Sequence, residues 1–175
     1  MNSPNNKEYK ATLTIPYPPV CAESCCKDYA WAMLSNIGSD NSEMSAVSLY
    51  FYNSVILKPD YADFAACFHS ISIVEMHHLD IFATLACQMG LDPRLWSMEN
   101  HDLCYWTPSY NHYHQMLCEL LENSIQGELA AIQKYTRQAE TIRDTNIKDN
   151  LNRIILDEQH HIELFQSMLR EIRNG

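Results

Sequence analysis

The chain has 175 residues, with four Gly, seven Pro and a formal net charge of −10. That length supports one domain with a real core, and the turn-residue supply is poor for an all-β fold. The acidic balance argues against general nucleic-acid binding and against attraction to anionic membranes. No apolar run approaches the roughly 20 residues of a membrane span. The opening MNSPNNKEYK lacks the apolar stretch of a secretory signal, so a cytoplasmic location is expected. The seven cysteines form no Cys-x-x-Cys pair and are expected to be free thiols. Cys67, Cys87 and Cys118 fall within helical patterns as small buried thiols. The cluster Cys21, Cys25 and Cys26 is read as chance near a helix start rather than as a thiol or soft-metal site.

Taken in order, residues 1–22 hold Pro16, Pro18 and Pro19 and read as an extended arm, distinct from a helical unit over 23–175. A short helix is expected over 24–37. The stretch GSDNS at 38–42 breaks it and offers Asp40 or Ser42 as the next N-cap. Helices over 41–57 and 60–89 follow, separated by Lys58-Pro59-Asp60, and Gly90 with Pro93 supplies a stop signal. Residues 91–111 show no clear period and read as a long crossover. Helical patterning returns over 112–143 and, after the short turn DTN, over 147–172. Two tight helical hairpins joined by one long link form an all-α, ferritin-like four-helix bundle.

The two hairpins repeat each other. EMSAVSLY at 43–50 matches ELAAIQKY at 128–135, and VEMHHLDIF at 74–82 matches DEQHHIELF at 157–165. At about 100° per residue, positions i and i+3 share a helix face while i+2 points away. Glu75 and His78 can therefore meet one ligand, and His77 cannot join them; the same logic pairs Glu158 with His161 and excludes His160. Glu43 and Glu128 project inward once from the first helix of each hairpin. The resulting set, Glu43, Glu75, His78, Glu128, Glu158 and His161, has one Glu from each of two helices and Glu-x-x-His from each of the others, the composition of a di-iron or di-manganese carboxylate site. Four carboxylates neutralise two divalent ions, and the imidazoles fill terminal positions. Tyr50 and Tyr135 lie two turns beyond Glu43 and Glu128, either hydrogen-bonding a ligand, holding a proton or radical, or packing in the core. Asp157, one turn before His161, is placed to orient a ligand histidine. Its counterpart Val74 is not, so the two metal positions need not be equivalent. His77 beside Asp80 and His160 beside Glu163 read as outer pairs, at the surface or at a subunit contact.

These segments, together with IPYPPV upstream, resemble the rubrerythrin and manganese-catalase side of the ferritin-like superfamily over roughly residues 15–172. The resemblance implies two Fe or Mn ions and a redox enzyme that reduces or dismutates peroxide, or reacts with dioxygen, in oxidative-stress defence. It implies an electron donor as well, which the sequence does not identify. A ferroxidase or iron-handling protein, and a coat or assembly protein retaining the site, are the alternatives. The chain lacks the Cys-x-x-Cys pairs of a rubredoxin module, and neither the fifth helix of ferritin cages nor the long C-terminal wrap of manganese catalases is expected. Many manganese catalases carry Arg just before the third-helix Glu, where this chain has Gly127. The aromatic crossover around YWTPSYNHYH either packs on the bundle flank or lids the site, with His112 and His114 as proton carriers. Trp31, Met33, Phe51 and Phe64 are taken as exposed apolar side chains that favour a homodimer.

Overall fold

The computed structural model describes residues 9–100 and 102–174; the first eight residues of the expected arm lie outside them. The described residues form five α-helices: α1 Lys27–Gly38, α2 Glu43–Leu57, α3 Ala62–Gln88, α4 Leu117–Thr141 and α5 Thr145–Asn174. Helices α2 and α3 pack as one hairpin and α4 and α5 as the other, with α1 laid against α3. This is the ferritin-like four-helix bundle that the loop lengths predict, and no helix among the described residues is long and apolar enough to cross a membrane.

Local chemistry explains the helix ends. Gly90 takes φ 88°, and the Leu91 N–H reaches back to Ala86 O at 3.1 Å, closing α3 with a left-handed glycine. Asp144 caps α5, its Oδ1 accepting the Ile147 N–H at 3.0 Å. Lys134, half-buried, ties the α1–α2 link by donating to Ser35 O, Ser39 Oγ and Asn41 O; desolvation lowers its pKa to about 8.

The crossover differs from the expectation of an irregular link. It contains a β-hairpin, β1 Trp96–Glu99 paired antiparallel with β2 Asp102–Tyr105, then a 3-10 turn at Pro108–Tyr110. Four-residue strands are too short to show a period of two. The tight loop carries Asn100 at φ 51°, a left-handed position that Asn tolerates, in place of the more recognisable Asn-Gly. Strand β1 lies on α1 at Gly38, where a Cβ would come within 2.4 Å of Trp96 N.

The core is two apolar clusters. One joins α1 to the C-terminal part of α3, the C-terminal part of α4 and the N-terminal part of α5 around Met33, Phe82, Tyr135 and Leu151. The other gathers Tyr50 of α2 with Phe64, Phe68, Leu121 and Phe165 at the opposite ends of α3, α4 and α5. Met33 and Phe64, expected on the surface, are thus core residues; Trp31 is half-buried against Trp96, and only Phe51 of that group is exposed. All seven cysteines are free; Cys67 is buried, Cys118 partly so, and Cys87 is exposed rather than buried.

Residues 9–23 run antiparallel along α5. Tyr9 donates to Glu171, Arg153 donates to Ile15 O, Asn150 to Pro19 O, and the Glu23 N–H to Asp144. Because backbone of β1 occupies the space beside Gly38, Gly38→Ala forces the hairpin away and is expected to lower stability by about 2 kcal/mol, the usual cost of overpacking, read as a shifted denaturation midpoint with an unchanged slope.

Candidate metal centre

Glu43, Glu75, His78, Glu128, Glu158 and His161 come together in the middle of the bundle, each at most 2 % exposed. They form a polar layer between the two apolar clusters. Helical spacing does the placing, since one inward face of α3 carries Glu75 and His78 and one of α5 carries Glu158 and His161.

The distances divide the layer into two overlapping groups. His78 Nδ1 lies 3.0 Å from Glu75, 3.3 Å from Glu158 and 3.7 Å from Glu43. His161 Nδ1 lies 3.0 Å from Glu75, 3.1 Å from Glu158 and 3.4 Å from Glu128. Glu75 and Glu158 belong to both groups, while Glu43 and Glu128 belong to one each, and the candidate donor atoms of each group lie within 4.8 Å of one another. Two shared carboxylates flanked by two unshared ones is the geometry a pair of bridged ions requires.

The electrostatics show why such a layer is costly alone. Burial pushes Glu43 up to about 8, and burial with the charges of Glu158 and Glu75 pushes Glu128 well above the carboxylate range. Burial also opposes ionisation of Glu75, but His161 and His78 hold it below its usual value. Burial opposes charge on both imidazoles, yet the surrounding carboxylates raise them well above the ordinary histidine pKa. The acids and bases of the layer thus compensate one another's charge. Glu75 Oε1 is buried without an aligned hydrogen-bond donor. That orphan oxygen, the oxygen-and-imidazole donor set and the four-to-two ratio of carboxylates to imidazoles all fit two divalent Fe or Mn ions.

The tyrosines reach across the bundle rather than along their own helices. Tyr50 of α2 donates to Glu128 of α4 at 2.7 Å, and Tyr135 of α4 donates to Glu43 of α2. The phenylalanine that ends each repeated motif supports this crossing. Phe82 packs on Tyr135 with ring centroids 5.2 Å apart, and Phe165 packs on Tyr50 at 5.5 Å. Burial and the adjacent carboxylates raise both phenols well above 10, so they are proton donors at neutral pH.

Asp157 does not approach His161 one turn along α5. It turns across to α3, where its Oδ2 lies 3.1 Å from His78 Nε2. Two residues without a place in the sequence reading complete this corner. Arg153 NH1 lies 2.6 Å from the same oxygen, and Tyr17 from the arm donates to it at 2.6 Å. Hydrogen bonds from His78, Arg153 and Tyr17 overcome the burial penalty and hold Asp157 down at about 2. The i,i+4 spacing of Arg153 and Asp157 was a usable signal; nothing local marks Tyr17.

His77 is exposed, as its register requires. Its ring meets Tyr17 edge-on at 4.5 Å, and the described residues show no His77–Asp80 ion pair. His160 lies 3.8 Å from Glu163 and also contacts Lys10 O at 2.8 Å. Both outer histidines therefore face the arm.

A cavity of about 320 Å³ opens between α2 and α4 and reaches Glu43, Glu128 and Glu158 past both tyrosines. The crossover edges it through Tyr110, Asn111 and His112, so that segment both packs on the bundle and borders the opening. His114 instead lies 3.4 Å from Glu119. Gly127 stands at the mouth with nothing within 4 Å of the position of a Cβ.

No curated protein matches the chain significantly. Among solved structures it is similar to KatB, a manganese catalase from Anabaena PCC7120, with a TM-score of 0.80 at 20% identity over 92% of this chain and 80% of that one. It is also similar to a dodecameric thioferritin, the bacterioferritin-related protein of Bacteroides fragilis, with a TM-score of 0.65 at 20% identity over 84% and 85%. Those likenesses concern the fold. The rubrerythrin family model matches residues 39–169, a span holding all six clustered side chains and both tyrosines, and the chain belongs to the rubrerythrin family.

Proposed function

We propose that the protein is a dinuclear Fe or Mn redox enzyme that consumes peroxide or dioxygen. The observation that carries this is the buried layer of four carboxylates and two imidazoles with a cavity leading to it. In this reading Glu75 and Glu158 would be shared by the two ions, with Glu43 and His78 holding one of them and Glu128 and His161 the other. Bound metal would supply electron transfer between the +2 and +3 states. Tyr50 and Tyr135 hold the two unshared glutamates in orientation and keep protons beside the cavity floor. Asn111, His112, Ser45 and Ser124 offer hydrogen-bonding groups to a small polar oxidant on its way in. The apolar clusters on either side keep bulk water out. If protein loaded with iron or manganese consumes neither peroxide nor dioxygen, the reading is lost.

Self-association as a homodimer belongs to the same proposal. It is supported by Phe51 and Val55 on α2 and Ile73 and Met76 on α3, all more than half exposed; sedimentation at the monomer mass would remove it.

Three outcomes follow. His78→Ala lowers the metal content by elemental analysis, whereas His77→Ala, outside the layer, leaves it unchanged. Loading ions displaces protons from Glu43, Glu128, His78 and His161, whose pKa values are all shifted upward within the layer. Uptake in weak buffer therefore acidifies the solution, and occupancy at fixed free metal rises with pH; uptake without proton release contradicts the assignment. Finally, Gly127→Leu fills the cavity mouth with apolar bulk, so peroxide consumption falls about tenfold or more while metal content stays at the wild-type value.

A further inference from the structure

The inner layer is close to two-fold symmetric, but its surroundings are not. The repeat relates Asp157 to Val74 and Arg153 to Ser70. His78 Nε2 faces Asp157 at 3.1 Å and Tyr17 Oη at 3.2 Å. His161 Nε2 is buried with no hydrogen-bond partner. Val74 is buried and carries no polar atom, and Ser70 bonds back to Ala66 O on its own helix. One histidine of the pair is therefore fixed on its outer side by two groups, and the other by none.

The groups that fix His78 are themselves held by the arm. Tyr17 is half-buried, and its ring sits under the Arg153 guanidinium at 4.2 Å and against His77 at 4.5 Å. Arg153 Nε and NH2 both donate to Ile15 O, at 3.0 and 2.8 Å. The arm thus aims Arg153 at Asp157 and adds the Tyr17 hydroxyl to the same carboxylate oxygen. A carboxylate accepting from the outer N–H of a histidine fixes its tautomer and ring orientation and raises its basicity toward a metal on the inner nitrogen.

We propose that Tyr17 is a positioning residue through which the N-terminal arm secures one of the two metal positions, that of His78 and Glu43, so that the two ions are held with unequal grip. The inference rests on the dinuclear reading above. In Tyr17→Phe the ring stays, with its contacts to Arg153 and His77, and only the hydroxyl is removed. Asp157→Asn changes the same corner from the other side.

The test uses full-length protein loaded with Mn(II) alone and challenged with a chelator, with release followed per chain. Wild type is expected to lose its two ions in two phases. In Tyr17→Phe the slower phase accelerates at least about tenfold, the usual effect of removing a group behind a metal-ligating histidine, and the faster phase is unchanged. Asp157→Asn behaves in the same way. In His161→Ala the Tyr17→Phe change still accelerates loss of the remaining ion, whereas in His78→Ala it adds nothing. A merely structural role for the arm predicts instead that both phases accelerate together, and that result overturns the proposal, as does no change in either phase. Persistence of the effect in His78→Ala also overturns it. Wild-type protein that binds no Mn(II) or Fe(II) at all contradicts the dinuclear reading itself, a failure distinct from two ions released alike by wild type and Tyr17→Phe.

Discussion

Six ionisable side chains buried at the centre of a helical bundle set the terms for the rest of the structure. An isolated buried charge costs several kcal/mol even after relaxation, so these groups persist only as a mutually compensating set. Glu75 and Glu158 contact both imidazoles, and the two remaining glutamates are held by phenols from the opposite hairpin. Phe82 and Phe165 hold those phenols in turn. The apolar clusters above and below the layer make its dielectric low, which strengthens the pairings and leaves any unpaired oxygen costly.

The duplicated hairpins account for the symmetry of the inner layer, and the arm accounts for its loss. A repeat can encode paired glutamates, histidines, tyrosines and phenylalanines, since each copy presents the same faces. It cannot encode a partner for one copy alone. The arm runs beside α5 and touches α3 at His77, His78 and Gln88; on α5 it meets Arg153 and Asp157, and the residues the repeat sets opposite them on α3, Ser70 and Val74, leave His161 Nε2 without a hydrogen-bond partner. Two ions of the same element would then differ in ligand basicity and in retention, a useful property where one position must exchange or change oxidation state more readily than the other.

Much of this was legible in the sequence because it depends on helical spacing. The exclusion of His77 and His160 follows from about 100° per residue, and the bundle topology follows from the lengths of the links at 58–60, 91–111 and 144–146. The remainder depends on contacts between elements. Whether Asp157 turns toward His161 on its own helix or toward His78 on α3 is a matter of helix rotation. Tyr50 and Tyr135 are in register with their own glutamates yet bond to those of the other hairpin, because the bundle brings opposite helices closer to the phenol tips than their own turns are. Tyr17 sits among prolines with no periodic pattern, and its role comes from where the arm lies on α5. Met33 and Phe64 look like exposed apolar residues until α1 packs against α3 and the arm's Tyr9 packs on Phe64.

Diffraction from crystals of the manganese- or iron-loaded protein, with data collected at the metal absorption edge, is the most direct test of the central claim. The account predicts two anomalous peaks per chain, about 3.5–4 Å apart as in other paired-ion sites, both lying between Glu75 and Glu158, one beside His78 and the other beside His161. A single peak, or peaks only outside the bundle core such as at Cys21, Cys25 and Cys26, would contradict it.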